Sequence, residues 1–302
     1  ETQVLHQASS SALNQPAQQD PPPELLDDLL PMVAGSPTQQ RVAVTAACTR
    51  PATIITGGPG TGKTYTIARL LALLVAPTTA GQNRPPQIAL AAPTGKAAAR
   101  MTEALRQAVD DAGLSGAVAG HPNELSATTI HRLLGYDHDN PTRFRHHAER
   151  PLPHDVVVID ESSMVSLPLM AKLLDALSPT TRLVLVGDPD QLTSVEAGTV
   201  LGDLTHHVSP LADSVVRLNE SHRFGEHSPI AALADSLRRG AADEVMGALD
   251  SQTDITWLPA TASVWDRLPA ELERLALDAA EGVYDAAVAG DAQAAVDALG
   301  AI

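Results

Sequence analysis

Eight consecutive residues, Gly57-Gly58-Pro59-Gly60-Thr61-Gly62-Lys63-Thr64, combine backbone freedom, one ammonium group and one hydroxyl within a short loop. Glycine at four of these positions lets backbone N–H groups wrap a phosphate oxygen, since φ can turn positive and no side chain stands in the way. Lys63 is spaced to reach the β- and γ-phosphates as a point charge, and Thr64 to offer its hydroxyl to Mg2+. The N-terminus of a following helix would add partial positive charge. All eight residues are therefore nucleotide-binding candidates, and the chemistry they suit is ATP binding and hydrolysis.

Two further groups complete such a site. Val156-Val157-Val158-Ile159 is a wholly apolar run that ends in Asp160-Glu161. Asp160 suits Mg2+ and Glu161 suits polarising an attacking water, although an Asp-Glu pair after a strand can equally be a solvated turn. The run Leu183 to Val186 leads into Gly187-Asp188-Pro189-Asp190-Gln191. The Gln191 amide can donate to a phosphate oxygen and accept from water, so its contacts would change when the γ-phosphate leaves.

Positioning these groups requires a particular scaffold. The apolar pattern predicts helices over 39–48, 63–75, 96–111 and 167–177, a short helix around Ile130, and strands over 52–56, 87–92, 156–160, 182–186 and 214–218. Repeated β-then-α units imply an α/β fold with a mostly parallel sheet flanked by helices, whose chemistry gathers at the carboxyl ends of its strands. Residues 1–37 are rich in Gln, Ser and Pro and read as a linker with a short docking helix at Leu25, Leu26, Leu29 and Leu30. After Arg223 the pattern is helical (229–239, 242–249 and Ala-rich stretches beyond), with one extended piece at 255–258.

With 44% hydrophobic but only 2% aromatic residues among 302, the core must be built from Ala, Val, Leu and Ile. Cys48 is the single cysteine, so no intramolecular disulfide forms, and it reads as a small buried hydrophobe. No apolar run reaches membrane-spanning length and no secretory pattern opens the chain, which makes a cytoplasmic protein without membrane contact the simplest expectation. A net charge of −16 argues against a broad nucleic-acid face. Placement outweighs that total, because two of the three lysines, Lys63 and Lys96, stand in glycine-containing motifs. His146-His147 and His206-His207 lack the partners and spacing of a metal site.

Six segments in succession resemble the motifs of superfamily 1 DNA helicases: 57–64, Ala91 to Ala98, Thr129-Ile130-His131, Asp160 to Met164, Gly187 to Gln191, and Ser221-His222-Arg223-Phe224. Phe144 to Ala148 and Ser194 to Asp203 further resemble the RecD family, the α subunit of the bacterial exonuclease V (RecBCD) complex. The resemblance implies a RecA-like P-loop motor domain over 38–225, and over 226–302 a helical extension leading to an incomplete second motor domain. It implies that Gln40 reads adenine, that Arg223 reaches the γ-phosphate, and that Lys63, Glu161, Gln191 and Arg223 carry catalysis. It also implies that Thr94, Lys96, His131 and Ser194 line a channel for single-stranded DNA, although Thr94 and Lys96 could merely cap a helix and His131 could be an ordinary histidine.

The function so implied is an ATP- and Mg2+-dependent helicase or translocase subunit moving 5′ to 3′ on single-stranded DNA. Its partners would be RecB-like and RecC-like subunits of a helicase–nuclease complex for double-strand break repair and recombination. An ATP-dependent clamp that binds DNA without stepping is the competing expectation. A GTPase is disfavoured because no Asn-Lys-x-Asp occurs. No lysine follows a glutamate by two residues, so a nuclease site of the Glu-x-Lys kind is not expected. The chain reads as a fragment, expected alone to hydrolyse nucleotide slowly for want of an arginine from across the cleft.

Overall fold

The computed structural model describes residues 21–75, 86–111, 113, 126–136, 143–191, 200–206, 209, 211–219, 229–251 and 270–300. The chain divides into two compact units, Glu1–Glu226 and His227–Ile302. Arg223, Ser194 and the extended piece at 255–258 lie outside the described residues.

Among its described residues, the first unit is a six-stranded sheet in the order β3-β2-β4-β5-β1-β6, with every neighbouring pair parallel. Its strands are β1 (Ala52–Gly57), β2 (Ile88–Ala92), β3 (Thr128–Thr129), β4 (Val156–Ile159), β5 (Arg182–Gly187) and β6 (Val215–Leu218). Its helices are α1 (Pro23–Leu29), α2 (Gln39–Thr49), α3 (Lys63–Val75), α4 (Gly95–Asp111), α5 (Ile130–Leu134), α6 (Leu167–Asp175) and α7 (Val200–Thr205).

The uniformly apolar strands follow from burial on both faces. Ile55, Leu90, Val158, Val184 and Val186 point into a cluster with α1 to α4, while Ile54, Ala89, Val157, Ile159, Leu183 and Leu185 point into a second cluster with α5, α6 and α7. Helix α4 shows the matching period, burying Ala98, Met101, Leu105 and Val109.

Boundaries differ from the sequence pattern where side chains intervene. Gln87 stays off the ladder because its N–H donates to the Asp155 carboxylate at 2.7 Å. Helix α6 stops at Asp175, where the Ala176 N–H turns back to the Lys172 and Leu173 carbonyls. The leucines here pack within this chain: Leu26 of α1 and Leu30, which caps its end, join the first cluster. Arg41 holds them there, donating to the Leu26 and Leu30 carbonyls at 3.2 and 2.6 Å and pairing with Asp27 at 2.7 Å.

The second unit consists, among its described residues, of α8 (Pro229–Arg239), α9 (Ala242–Ser251), α10 (Ala270–Val288) and α11 (Ala292–Gly300), packed as α8 on α9 and α10 on α11. Among the described residues no helix is long and apolar enough to cross a membrane.

Candidate active site

Strand order brings the separated motifs to one edge. Register pairs Thr56 of β1 with Gly187 of β5, and Ile159 of β4 with Leu185, so the glycine loop, the Gly187–Gln191 turn and Asp160-Glu161 leave adjacent carboxyl ends. Ala92 pairs with Thr129, which brings the segments carrying Thr94 and His131 to the same edge further along.

In the glycine loop, Gly60 and Gly62 adopt φ of 79° and 85°, while Gly57 and Gly58 do not enter that region. The backbone freedom expected of all four glycines is thus used at two. Gly57 is required by space, since a Cβ there would lie 2.4 Å from Thr61 Oγ1 and 2.9 Å from the Leu218 carbonyl oxygen. The loop is closed by Thr61 Oγ1, which donates to the Gly58 carbonyl at 2.9 Å. Lys63 Nζ donates to the Gly57 and Gly58 carbonyls at 2.6 and 3.0 Å, which draws the ammonium across the loop mouth. Pro59 is exposed and Thr64 half-buried at the first turn of α3. Gln40 is buried, with Nε2 3.5 Å from the Thr61 carbonyl oxygen, so it borders the loop from α2. The neighbouring Gln39 accepts from the Asn219 N–H at 2.6 Å and ties the start of α2 to the end of β6.

Asp160 accepts from the Glu161 N–H at 2.9 Å, and its own N–H donates to the Ala91 carbonyl. Burial pushes its carboxyl up to about 6, with the Glu161 charge adding to the rise; the Glu161 N–H and the Lys63 ammonium pull the other way. Lys63 is therefore close enough to Asp160 for their charges to interact. Glu161 sits at φ 50°, ψ 39°, the left-handed region, which costs a non-glycine residue about 1–2 kcal/mol. That turn aims the residue after β4 away from the strand direction, at the sheet edge. Gln191 is half-buried, with its N–H on the Asp188 carbonyl at 3.2 Å.

Two residues of this edge lie within the motif segments without being marked there as site residues. Asp188 is buried and its Oδ1 accepts from the Asp190 N–H at 3.1 Å, fixing the turn that presents Gln191. Ser162 is fully buried, donates to the Val186 carbonyl at 2.8 Å and would lie 2.7 Å from a Cβ on Gly187, so β4 and β5 meet without clearance beneath the site. Their motif positions could have marked them; their roles are tertiary.

Thr94 is exposed, and its Oγ1 accepts from the Ala97 N–H at 3.2 Å, capping α4. Lys96 is exposed in the first turn of that helix. His131 is exposed on α5, with ring centroids 5.9 Å from both Tyr136 and Phe144, which are 6.1 Å from each other. Phe144 stands thirteen residues beyond His131, so spacing alone does not bring these two rings together.

A sequence-family model described as an AAA domain matches residues 40–197. The RecBCD enzyme subunit RecD of Mycolicibacterium smegmatis is 44% identical over 292 residues, covering 91% of this chain and 50% of that protein. The RecBCD enzyme subunit RecD of Mycobacterium tuberculosis is 50% identical over 214 residues, 70% of this chain and 36% of that protein. The ATP-dependent RecD2 DNA helicase of Deinococcus radiodurans is 36% identical over 189 residues, 63% of this chain and 22% of that protein. The chain spans half or less of the length of these relatives. With the glycine loop, the acidic strand end and the glutamine turn all inside the matched region, the chain belongs to the AAA domain family.

Proposed function

We propose that this chain is the ATP-hydrolysing module of a helicase subunit that moves along single-stranded DNA, within an assembly of RecB-like and RecC-like partners. The observation that carries the reading is the convergence of the Lys63 loop, Asp160-Glu161 and the Gln191 turn on the carboxyl ends of β1, β4 and β5. Likeness to RecD subunits and to a RecD2 DNA helicase supports DNA as the track, and movement from 5′ to 3′ is what the resemblance of the motifs implies.

In this reading Gly57 to Thr64 cradle the triphosphate of ATP, and Lys63 exchanges its two loop carbonyls for phosphate oxygens. The donor set fits Mg2+: a Thr64 hydroxyl and an Asp160 carboxylate are hard oxygen ligands, and Asp160, buried and beside a second carboxylate, gains from a cation. Magnesium, when bound, neutralises charge on the phosphates. Glu161 takes the proton of the attacking water, Gln191 orients that water, and Gln40 contacts the adenine. Arg223 supplies positive charge to the γ-phosphate. Thr94, Lys96, His131 and Ser194 hold the strand, so that nucleotide state and grip are coupled.

The test is nucleotide binding and phosphate release by the chain with and without oligothymidylate. Wild type binds ATP and its hydrolysis rises with the strand. Lys63→Gln keeps the fold and loses hydrolysis. Unchanged strand-stimulated hydrolysis in Lys63→Gln would exclude the site.

A further inference from the structure

Residues 143–150 concentrate Arg143, Arg145, His146, His147 and Arg150 against the single acid Glu149, in a chain whose net charge is −16. The segment is clamped to the core. The Arg145 and His146 N–H groups donate to the Gly135 and Leu134 carbonyls at 3.0 and 2.9 Å, and His147 and Arg150 exchange backbone hydrogen bonds at 3.1 and 2.9 Å. Gly135 is needed for this approach: it lies at φ 72°, and a Cβ there would be 2.6 Å from Arg145 Cβ. Between this segment and α6 lies a cavity of about 400 Å³ lined by Arg143, Phe144, His146, His147, Lys172 and Asp175. Lys172 is the one lysine outside the glycine-containing motifs. Among the described residues neither Arg143 nor Lys172 is ion-paired. His146 Nδ1 lies 3.3 and 3.2 Å from the Arg150 and Pro151 carbonyl oxygens, which holds the ring at the cavity wall.

We propose that this cavity is a second contact for the nucleic-acid strand, taking its phosphodiester backbone on Arg143 and Lys172. The inference rests on the strand-driven reading of the chain. Arg143 and Lys172 outnumber the one carboxylate of the lining, Asp175, so the cavity favours an anion, and the adjoining rings decide which polymer. Phe144 lines the cavity and continues into Tyr136 and the exposed His131. Planar faces beside cations suit stacked bases between phosphates better than an acidic peptide, whose carboxylates carry no ring.

The test is fluorescence anisotropy of labelled oligothymidylate with the 302-residue chain over a salt series, comparing wild type, R143Q/K172Q, the charge-keeping R143K/K172R, and Lys96→Ala. Each phosphate contact on a single strand contributes about 0.7 to the log–log salt slope, so R143Q/K172Q flattens the slope by about 1.4. At about 0.1 M salt the same change is a loss of about 25-fold. R143K/K172R keeps the wild-type slope, and unfolding midpoints establish that each variant is folded. If R143Q/K172Q keeps both slope and affinity while Lys96→Ala weakens binding, the second contact is wrong and the strand-driven reading stands. If wild type binds no strand, both fall. Labelled polyglutamate is titrated in the same way; if R143Q/K172Q loses its binding but not strand binding, the cavity serves an acidic protein partner and the proposal is overturned.

Discussion

Replacing Gly57 by alanine tests the construction of the glycine loop most directly. The added Cβ meets three atoms: Thr61 Oγ1 at 2.4 Å, the Leu218 carbonyl oxygen at 2.9 Å and Leu218 Cβ at 3.1 Å. Thr61 can rotate away only by giving up its 2.9 Å bond to the Gly58 carbonyl, and the Leu218 carbonyl is backbone in the β1–β6 ladder, where Gly57 and Leu218 pair. Relief must therefore separate β6 from β1 or lift the loop, a strain of about 1–3 kcal/mol. For a unit of this size that lowers the melting temperature by roughly 2–12 °C, at about 2–4 °C per kcal/mol. Because the yielding atoms belong to the phosphate cradle, affinity for a fluorescent ATP analogue falls by about tenfold, each factor of ten being worth about 1.4 kcal/mol. Gly95→Ala is the control. Nothing stands within 4 Å of its added Cβ, and the position opens a helix, so the change is neutral or stabilises by up to about 1 kcal/mol. Calorimetry and titration on the two variants decide the matter. If Gly57→Ala melts and binds as Gly95→Ala does, the packing argument for the loop is wrong.

Two further outcomes follow from groups already described. In metal-free buffer at pH 7.5, Asp160→Asn raises the melting temperature, because the native carboxylate is held charged against burial while the amide oxygen still accepts from Glu161. The native carboxyl binds its proton near 6 and the unfolded one in the ordinary range, so the gain is full above about 6 and fades as pH falls toward that range; a gain independent of pH refutes it. Arg41→Met removes the donors that hold two carbonyls of α1 and the pair with Asp27, and limited proteolysis should then cut near residues 30–36 while the sheet stays intact. Unchanged protection there means that Leu26 and Leu30 suffice to hold the helix.

Much of the fold was readable in the sequence because its signals are local. Helix α3 begins and ends where the glycine loop and the leucine pattern set it, and the runs around Ile54, Val157 and Val184 are apolar on both faces because both are covered. Strand β3 has only Thr128 and Thr129, too short for any period, and α7 hides behind Gly202 in a six-residue stretch. The site was legible in its residue types and less so in its construction. That Gly57 and Gly187 are needed for room depends on Leu218, Ser162 and Leu201, which lie far away along the chain. The leucines of α1 look from sequence alone like a surface for another molecule, and only Arg41 on the next helix reveals where they go.

Strand β5 stands between β1 and β4 and so works as a spacer gauge. Adjacent strands lie about 4.8 Å apart, so the loop that carries Lys63 and the strand end that carries Asp160 spring from points about 10 Å apart across the sheet. Ser162, wedged against Gly187, keeps that gauge from widening or slipping. Drift in the surface helices leaves this separation untouched, whereas a single methyl group added at Gly187 alters it.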